Sequence, residues 1–124
     1  MATKNEIFGG IGEKLVEIEL LKRNINFWSM GDKNPYFDLI IDTKKGLKKV
    51  QIKTANRNKK GKFNFYLMNC AGAYDYLILV KMLKGRNLNF YIIPESEVEM
   101  QKGITMGQKT KRYTQFKEDW ERLK

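Results

Sequence analysis

Residues 74–82, YDYLILVKM, form a nearly continuous apolar run. A strand of that composition is covered on both faces, so the chain must supply a layer to each side of a sheet. Asn89–Ile93 reads as a further strand after the turn Lys84–Asn87, and 63–69, FNFYLMN, alternates like a strand. Upstream, 37–54, FDLIIDTKKGLKKVQIKT, reads as a β-hairpin whose turn, Lys44, Lys45 and Gly46, supplies a glycine for positive φ. In its second strand Val50, Ile52 and Thr54 share one face while Gln51 and Lys53 share the other. Antiparallel pairing brings Asp38 toward the Gln51/Lys53 face.

A helix is expected to open at Thr3, which has capping-box spacing to Glu6. Ile7, Ile11, Leu15, Ile18 and Ile25 recur at helical intervals and form a stripe for packing on the sheet. Gly9, Glu13, Val16 and Leu20 make a second face, which places Glu13 among groups that favour burial. Gly9, Gly10 and Gly12 each cost about 1 kcal/mol relative to alanine in a helix, which implies a need for close backbone approach. Beyond it, Asn26–Met30 reads as a short strand, 31–35 as a turn ending in Pro35, and Pro94 opens a helical segment over 95–100. Residues 101–114 read as a loop, and Phe116, Trp120 and Leu123 have the spacing of a C-terminal helix. The expectation is a single α/β domain over 1–124, with a mixed central sheet of about four to five strands flanked by an N-terminal helix and C-terminal helices. The second face of the first helix and the Phe116/Trp120 segment are candidate interfaces.

Charge narrows the partner. The chain carries 24 Lys and Arg against 14 Asp and Glu, a net charge of +10, and such an excess favours a polyanion. Between Thr43 and Tyr74 there is no acidic residue but nine cations: Lys44, Lys45, Lys48, Lys49, Lys53, Arg57, Lys59, Lys60 and Lys62. Residues 56–62, NRNKKGK, project as a basic loop suited to phosphate. Lys109, Lys111 and Arg112 form a second group that reads either as phosphate contacts or as a surface loop. Absence of histidine removes Ser-His and Cys-His triads, His-Asn-His nucleases and histidine-containing zinc sites. The lone Cys70 forms no internal disulfide and reads as a small apolar residue. No apolar stretch reaches the ~20 residues of a membrane span, so a soluble cytoplasmic protein is expected.

Phosphodiester hydrolysis needs a positioned water and a divalent cation to offset developing charge. Magnesium, with manganese as a substitute, takes oxygen ligands and keeps several waters. Asp38 offers a carboxylate oxygen, Gln51 an amide oxygen and Ile52 its backbone carbonyl, while Glu13 binds through water or holds a second ion. Lys53 orients the water, deprotonates it or stabilises the pentavalent oxyanion. The sequence leaves these three roles open.

The order Glu13, Pro35-Tyr36-Phe37-Asp38, then Gln51-Ile52-Lys53 resembles the PD-(D/E)XK nuclease superfamily, with glutamine in place of the acidic residue before the lysine. Val50–Ala55 is similar to the Gln-X-Lys branch that includes cyanobacterial-type group I intron homing endonucleases. The segments Asp75–Val80 and Tyr91–Val98 match that branch's later strands, so the resemblance spans Gly9 to Val98. It implies a restriction-endonuclease-like core and a metal-dependent endonuclease acting on double-stranded DNA. A homing-type enzyme of this size implies a homodimer or homotetramer, since one subunit neither covers a long target nor cuts both strands. The rival readings are a structure-selective Holliday junction resolvase and a catalytically inactive nucleic-acid-binding module.

Overall fold

The computed structural model of the chain describes residues 3–31, 36–67, 72–83, 87–98, 103–107 and 111–124. Helix α1 (Lys4–Lys22) begins at Thr3, whose hydroxyl accepts the Glu6 amide at 3.2 Å. It ends where Asn24 adopts a φ of 56° and the Ile25 amide returns to the Leu20 carbonyl. Seven strands follow among the described residues: β1 (Phe27–Ser29), β2 (Leu39–Thr43), β3 (Gly46–Asn56), β4 (Phe63–Tyr66), β5 (Tyr76–Met82), β6 (Leu88–Pro94) and β7 (Gly103–Met106). Five form one mixed sheet in the order β1-β2-β3-β5-β6, in which β3 and β5 run parallel and the other neighbours antiparallel. β4 and β7 pair apart from it as a two-stranded antiparallel ribbon. No helix of the described residues is long and apolar enough to cross a membrane.

The apolar run explains the layering. Leu77 through Val80 of β5 are wholly buried, and their alternation feeds two cores. Ile78 and Val80 pack with Val16, Leu20, Leu39, Ile41, Val50 and Ile52 on the α1 side. Leu77 and Leu79 pack with Phe63, Phe65, Ile104 and Met106 on the ribbon side.

The buried face of α1 is the reverse of the one its side chains suggest. Gly12, Val16 and Leu20 are buried against β3, whereas Ile7, Ile11 and Ile18 are 55, 45 and 51% exposed. The cause is a missing methyl group: a Cβ on Gly12 would overlap the Thr54 hydroxyl oxygen. The glycine-bearing face therefore approaches more closely than the isoleucine stripe can, and the face expected to be an interface is interior. Ile25 is buried as expected, but through the turn beyond the helix.

The C-terminus departs from a helix as well. Phe116 and Trp120 fall in separate 3₁₀ turns, Thr114–Phe116 and Trp120–Leu123. Phe116 enters the ribbon-side core, and Trp120 and Leu123 enter the α1-side core. Between them Glu118, at a φ of 55°, exchanges bonds with Phe90 of edge strand β6 and accepts the Trp120 indole N–H at 2.8 Å. The tail thus crosses the sheet edge, and its aromatics are buried rather than available as an interface. β7 forms within the segment expected to be a loop, because it completes the ribbon with β4. Pro94 closes β6, and a 3₁₀ turn, Glu95–Glu97, comes next where the sequence predicts a helical segment over 95–100; 99–100 lie outside the described residues. Cys70, Lys109, the turn around Pro35 and most of 84–87 lie outside the described residues.

If close approach decides the helix face, alanine at the two neighbouring glycines should act oppositely. Gly10→Ala, with open space around it, should be neutral or stabilise by up to about 1 kcal/mol. Gly12→Ala should destabilise by about 1–3 kcal/mol through overpacking. Urea denaturation measures both, and equal effects at the two positions would remove the argument from Thr54.

Candidate active site

The β2–β3 ladder ends at Leu39↔Val50, and Asp38 continues it with a side chain. The Asp38 amide donates to the Val50 carbonyl at 2.7 Å. Its Oδ2 atom accepts from the Ile52 amide at 2.7 Å and from the Gln51 side-chain Nε2 at 3.0 Å. One carboxylate oxygen thereby stands in for the acceptor that β2 no longer offers, and it fixes the Gln51 amide. With Nε2 also donating to the Ile52 carbonyl at 3.4 Å, Gln51 Oε1 is the atom left over. That oxygen is buried and has no hydrogen-bond partner among the described residues, in a residue only 5% exposed.

Glu13 completes the group from the helix side. The contact at Gly12 sets α1 close to β3, and the half-buried Glu13 carboxyl hydrogen-bonds to that of Asp38. Glu13, Asp38, Gln51, Ile52 and Lys53 line one open cavity of about 570 Å³. Burial pushes the Asp38 carboxyl above its usual pKa of 3.8, against the opposing pulls of the Ile52 amide, Glu13 and the Lys53 charge.

This donor set suits a hard divalent cation. An unsatisfied buried carbonyl costs about 1–3 kcal/mol, and Gln51 Oε1 would be relieved by a cation. Two adjoining carboxylates would share its charge, and amide and peptide oxygens are normal ligands for such ions. Among the described residues no cluster of three or more His, Cys, Asp or Glu side chains forms a ready-made metal site. A cation held here would draw on neutral oxygens as well as on the two acids.

The structure divides the basic residues. Arg57, Lys59, Lys60 and Lys62 lie in or beside the turn joining β3 to β4, which Asn58 shapes by accepting the Lys60 and Lys62 amides at 2.9 Å each. Lys59, Lys60 and Lys62 line a groove that shares Asn58 and Asn64 with the site cavity. Lys49 lies on the Gln51/Lys53 face by alternation and stacks over Phe37 at 5.4 Å. Lys48 instead borders a separate recess with Asp75 and Glu95. Lys44 and Lys45 occupy the hairpin turn, about 25 Å along β3 from Lys53 at the usual strand rise. Lys111 and Arg112 are exposed and do not line the cavity.

Several residues absent from the sequence-based site also border the cavity: Asn5, Phe8, Asn56, Asn58, Asn64 and Tyr66. Two were within reach of sequence reasoning. Alternation in 63–66 sends Phe63 and Phe65 inward and leaves Asn64 and Tyr66 outward, but nothing local indicates that this strand folds over the end of β3.

No protein-family model and no curated protein match the sequence. The fold is similar to that of a solved bacterial homing endonuclease, I-Ssp6803I, with a TM-score of 0.80 at 16% identity. The likeness covers 98% of this chain and 93% of that one. The mixed sheet with its N-terminal helix is therefore a homing-endonuclease-like fold.

The raised Asp38 pKa has a stability consequence. Below pH 3.8 the carboxyl is protonated in both folded and unfolded chains, and burial costs nothing. As pH rises from 3.8 through the higher folded value, the unfolded chain ionises first and stability falls, then levels off. Asp38→Asn keeps one oxygen to accept both hydrogen bonds and has no charge to bury. In metal-free buffer it should therefore melt higher than the parent near neutral pH, with the difference vanishing toward pH 3.8. A gap that does not change with pH would show that charge burial is not its source.

Proposed function

We propose that the chain is a divalent-metal-dependent DNA endonuclease of homing type, built on a PD-(D/E)XK arrangement in which Gln51 precedes Ile52 and Lys53. The observation that carries this reading is the buried, unpartnered Gln51 Oε1 beside the Asp38–Glu13 pair, in one cavity with Lys53. Asp38, Gln51 and the Ile52 carbonyl would hold magnesium or manganese, with Glu13 acting directly or through water. When bound, the ion would supply charge neutralisation at the phosphate and acidify water.

The chain's own groups would do the rest. Lys53 would donate to the attacking water or to the oxyanion that develops on phosphorus. Asp38, held by the Ile52 amide and Gln51, would keep the site aligned before DNA arrives. The turn carrying Arg57, Lys59, Lys60 and Lys62 adjoins the cavity and would bind the flanking phosphates of double-stranded DNA. A homodimer or homotetramer would bring two such sites to the two strands.

Supercoiled plasmid incubated with magnesium or manganese should be nicked or linearised. Lys53→Ala should lower the rate roughly 10²- to 10⁴-fold. Asp38→Asn should abolish cleavage while leaving DNA binding intact or tighter, since it removes a ligand and a repulsive charge together. Binding without cleavage under either metal would indicate a non-catalytic module, and cleavage confined to four-way junctions a resolvase.

The basic turn makes a separate prediction. Replacing Lys59 and Lys60 with alanine should weaken binding to unrelated sequences alike. It should also flatten the slope of log affinity against log salt by about 0.9 for each phosphate no longer neutralised. An unchanged slope would place that turn off the DNA.

A further inference from the structure

The geometry points to the outer face of the β4–β7 ribbon as a base-reading surface in the DNA major groove, with Asn64 contacting an adenine close to the cleaved phosphate. The position relative to the cut rests on the endonuclease reading; the recognition of bases does not. A two-stranded antiparallel ribbon is one of the two secondary structures that the major groove admits. Here the inner face of the ribbon is spent on packing, since Phe63, Phe65, Ile104 and Met106 are buried. The outer face carries Asn64, Tyr66 and Thr105, all exposed. Asn64 lies opposite Thr105 in the ladder, and Tyr66 opposite Gly103. A Cβ on Gly103 would come within 2.7 Å of the Phe65 carbonyl, so glycine there lets the ribbon close tightly.

The Thr105 hydroxyl lies 2.9 Å from Asn64 Oδ1 and donates to it. That bond orients the amide with its NH₂ turned away from Thr105, and Oδ1 retains a second lone pair. An asparagine so held presents one donor and one acceptor side by side, which is the pattern that pairs with adenine N7 and N6. Tyr66 keeps 77% of its surface open, which leaves its ring available for an apolar contact. Two residues along a strand span about 6.6 Å, close to two base steps of about 3.4 Å. Its ring would therefore meet a thymine methyl two steps from the Asn64 contact.

Charge selects DNA as the occupant of this face. The strand follows directly from the turn with Arg57, Lys59, Lys60 and Lys62, and Asn64 borders both the groove of those lysines and the site cavity. A duplex gripped by the turn would lie with its bases over Asn64 and Tyr66.

The test is a binding selection in metal-free buffer, using duplexes with a randomised central segment as the probe. The parent chain should enrich a motif that contains an adenine. Asn64→Ala should lose the preference at that position alone, with a drop of about five- to a hundredfold for the preferred base. Asn64→Asp, an acceptor only, should replace adenine by cytosine at the same position. Thr105→Val, which removes the orienting hydroxyl, should weaken the same position and provides an independent variant if either Asn64 change disturbs folding. A parent that enriches no motif, or variants that melt like the parent and enrich the same motif, would overturn the proposal. Because the selection involves no cleavage, duplexes that are selected but never cut in magnesium or manganese would overturn the endonuclease reading alone.

Discussion

One carboxylate oxygen holds the centre of this molecule together. Asp38 Oδ2 receives the Ile52 amide and the Gln51 side chain where the β2–β3 ladder stops. This bond lets β3 leave its partner without orphaning a buried N–H, a loss that would cost about 1–3 kcal/mol. It also decides which end of the Gln51 amide is satisfied. The nitrogen is used, and the oxygen is left buried and unpaired. An interaction that completes a sheet edge thus creates the free acceptor on which the proposed chemistry depends.

A second close approach adds the remaining charge. Gly12 allows α1 to press on Thr54, and that contact delivers Glu13 to Asp38. Burial holds the Asp38 carboxyl above its usual pKa, although the Glu13 hydrogen bond opposes that shift. A half-buried carboxyl beside the unpartnered Gln51 oxygen is where binding of a cation would be most favourable. The rest of the architecture separates duties around β3. α1 contributes an acid from one side, the ribbon offers polar and aromatic side chains from the other, and the turn between β3 and β4 gathers four cations beside both.

Much of this was legible in the sequence wherever a property depends on near neighbours. The hairpin follows from alternation and from Gly46, which adopts a φ of 109°. The Thr3 cap and the doubly covered β5 follow from spacing and composition. The juxtaposition of Asp38 with Gln51 follows from the ladder that the hairpin imposes. The α1 stripe misled because periodicity ranks faces by their side chains, whereas burial also rewards the absence of one. The tail misled because helical spacing cannot distinguish a helix from a chain that crosses a sheet edge, with Glu118 bonded to Phe90 midway.

The sequence by itself determined the β2–β3 hairpin, the capped start of α1, strand β5, the basic character and the identity of the polar groups on β3, since each is set by residues a few positions apart. Only the tertiary structure decided which face of α1 is interior and that 103–106 is a strand. It also decided that Asn64 and Tyr66 stand at the mouth of the Asp38 site. Those outcomes depend on shape complementarity at a missing methyl group and on pairing between strands some forty residues apart, as between Asn64 and Thr105. Neither leaves a periodic trace in the chain.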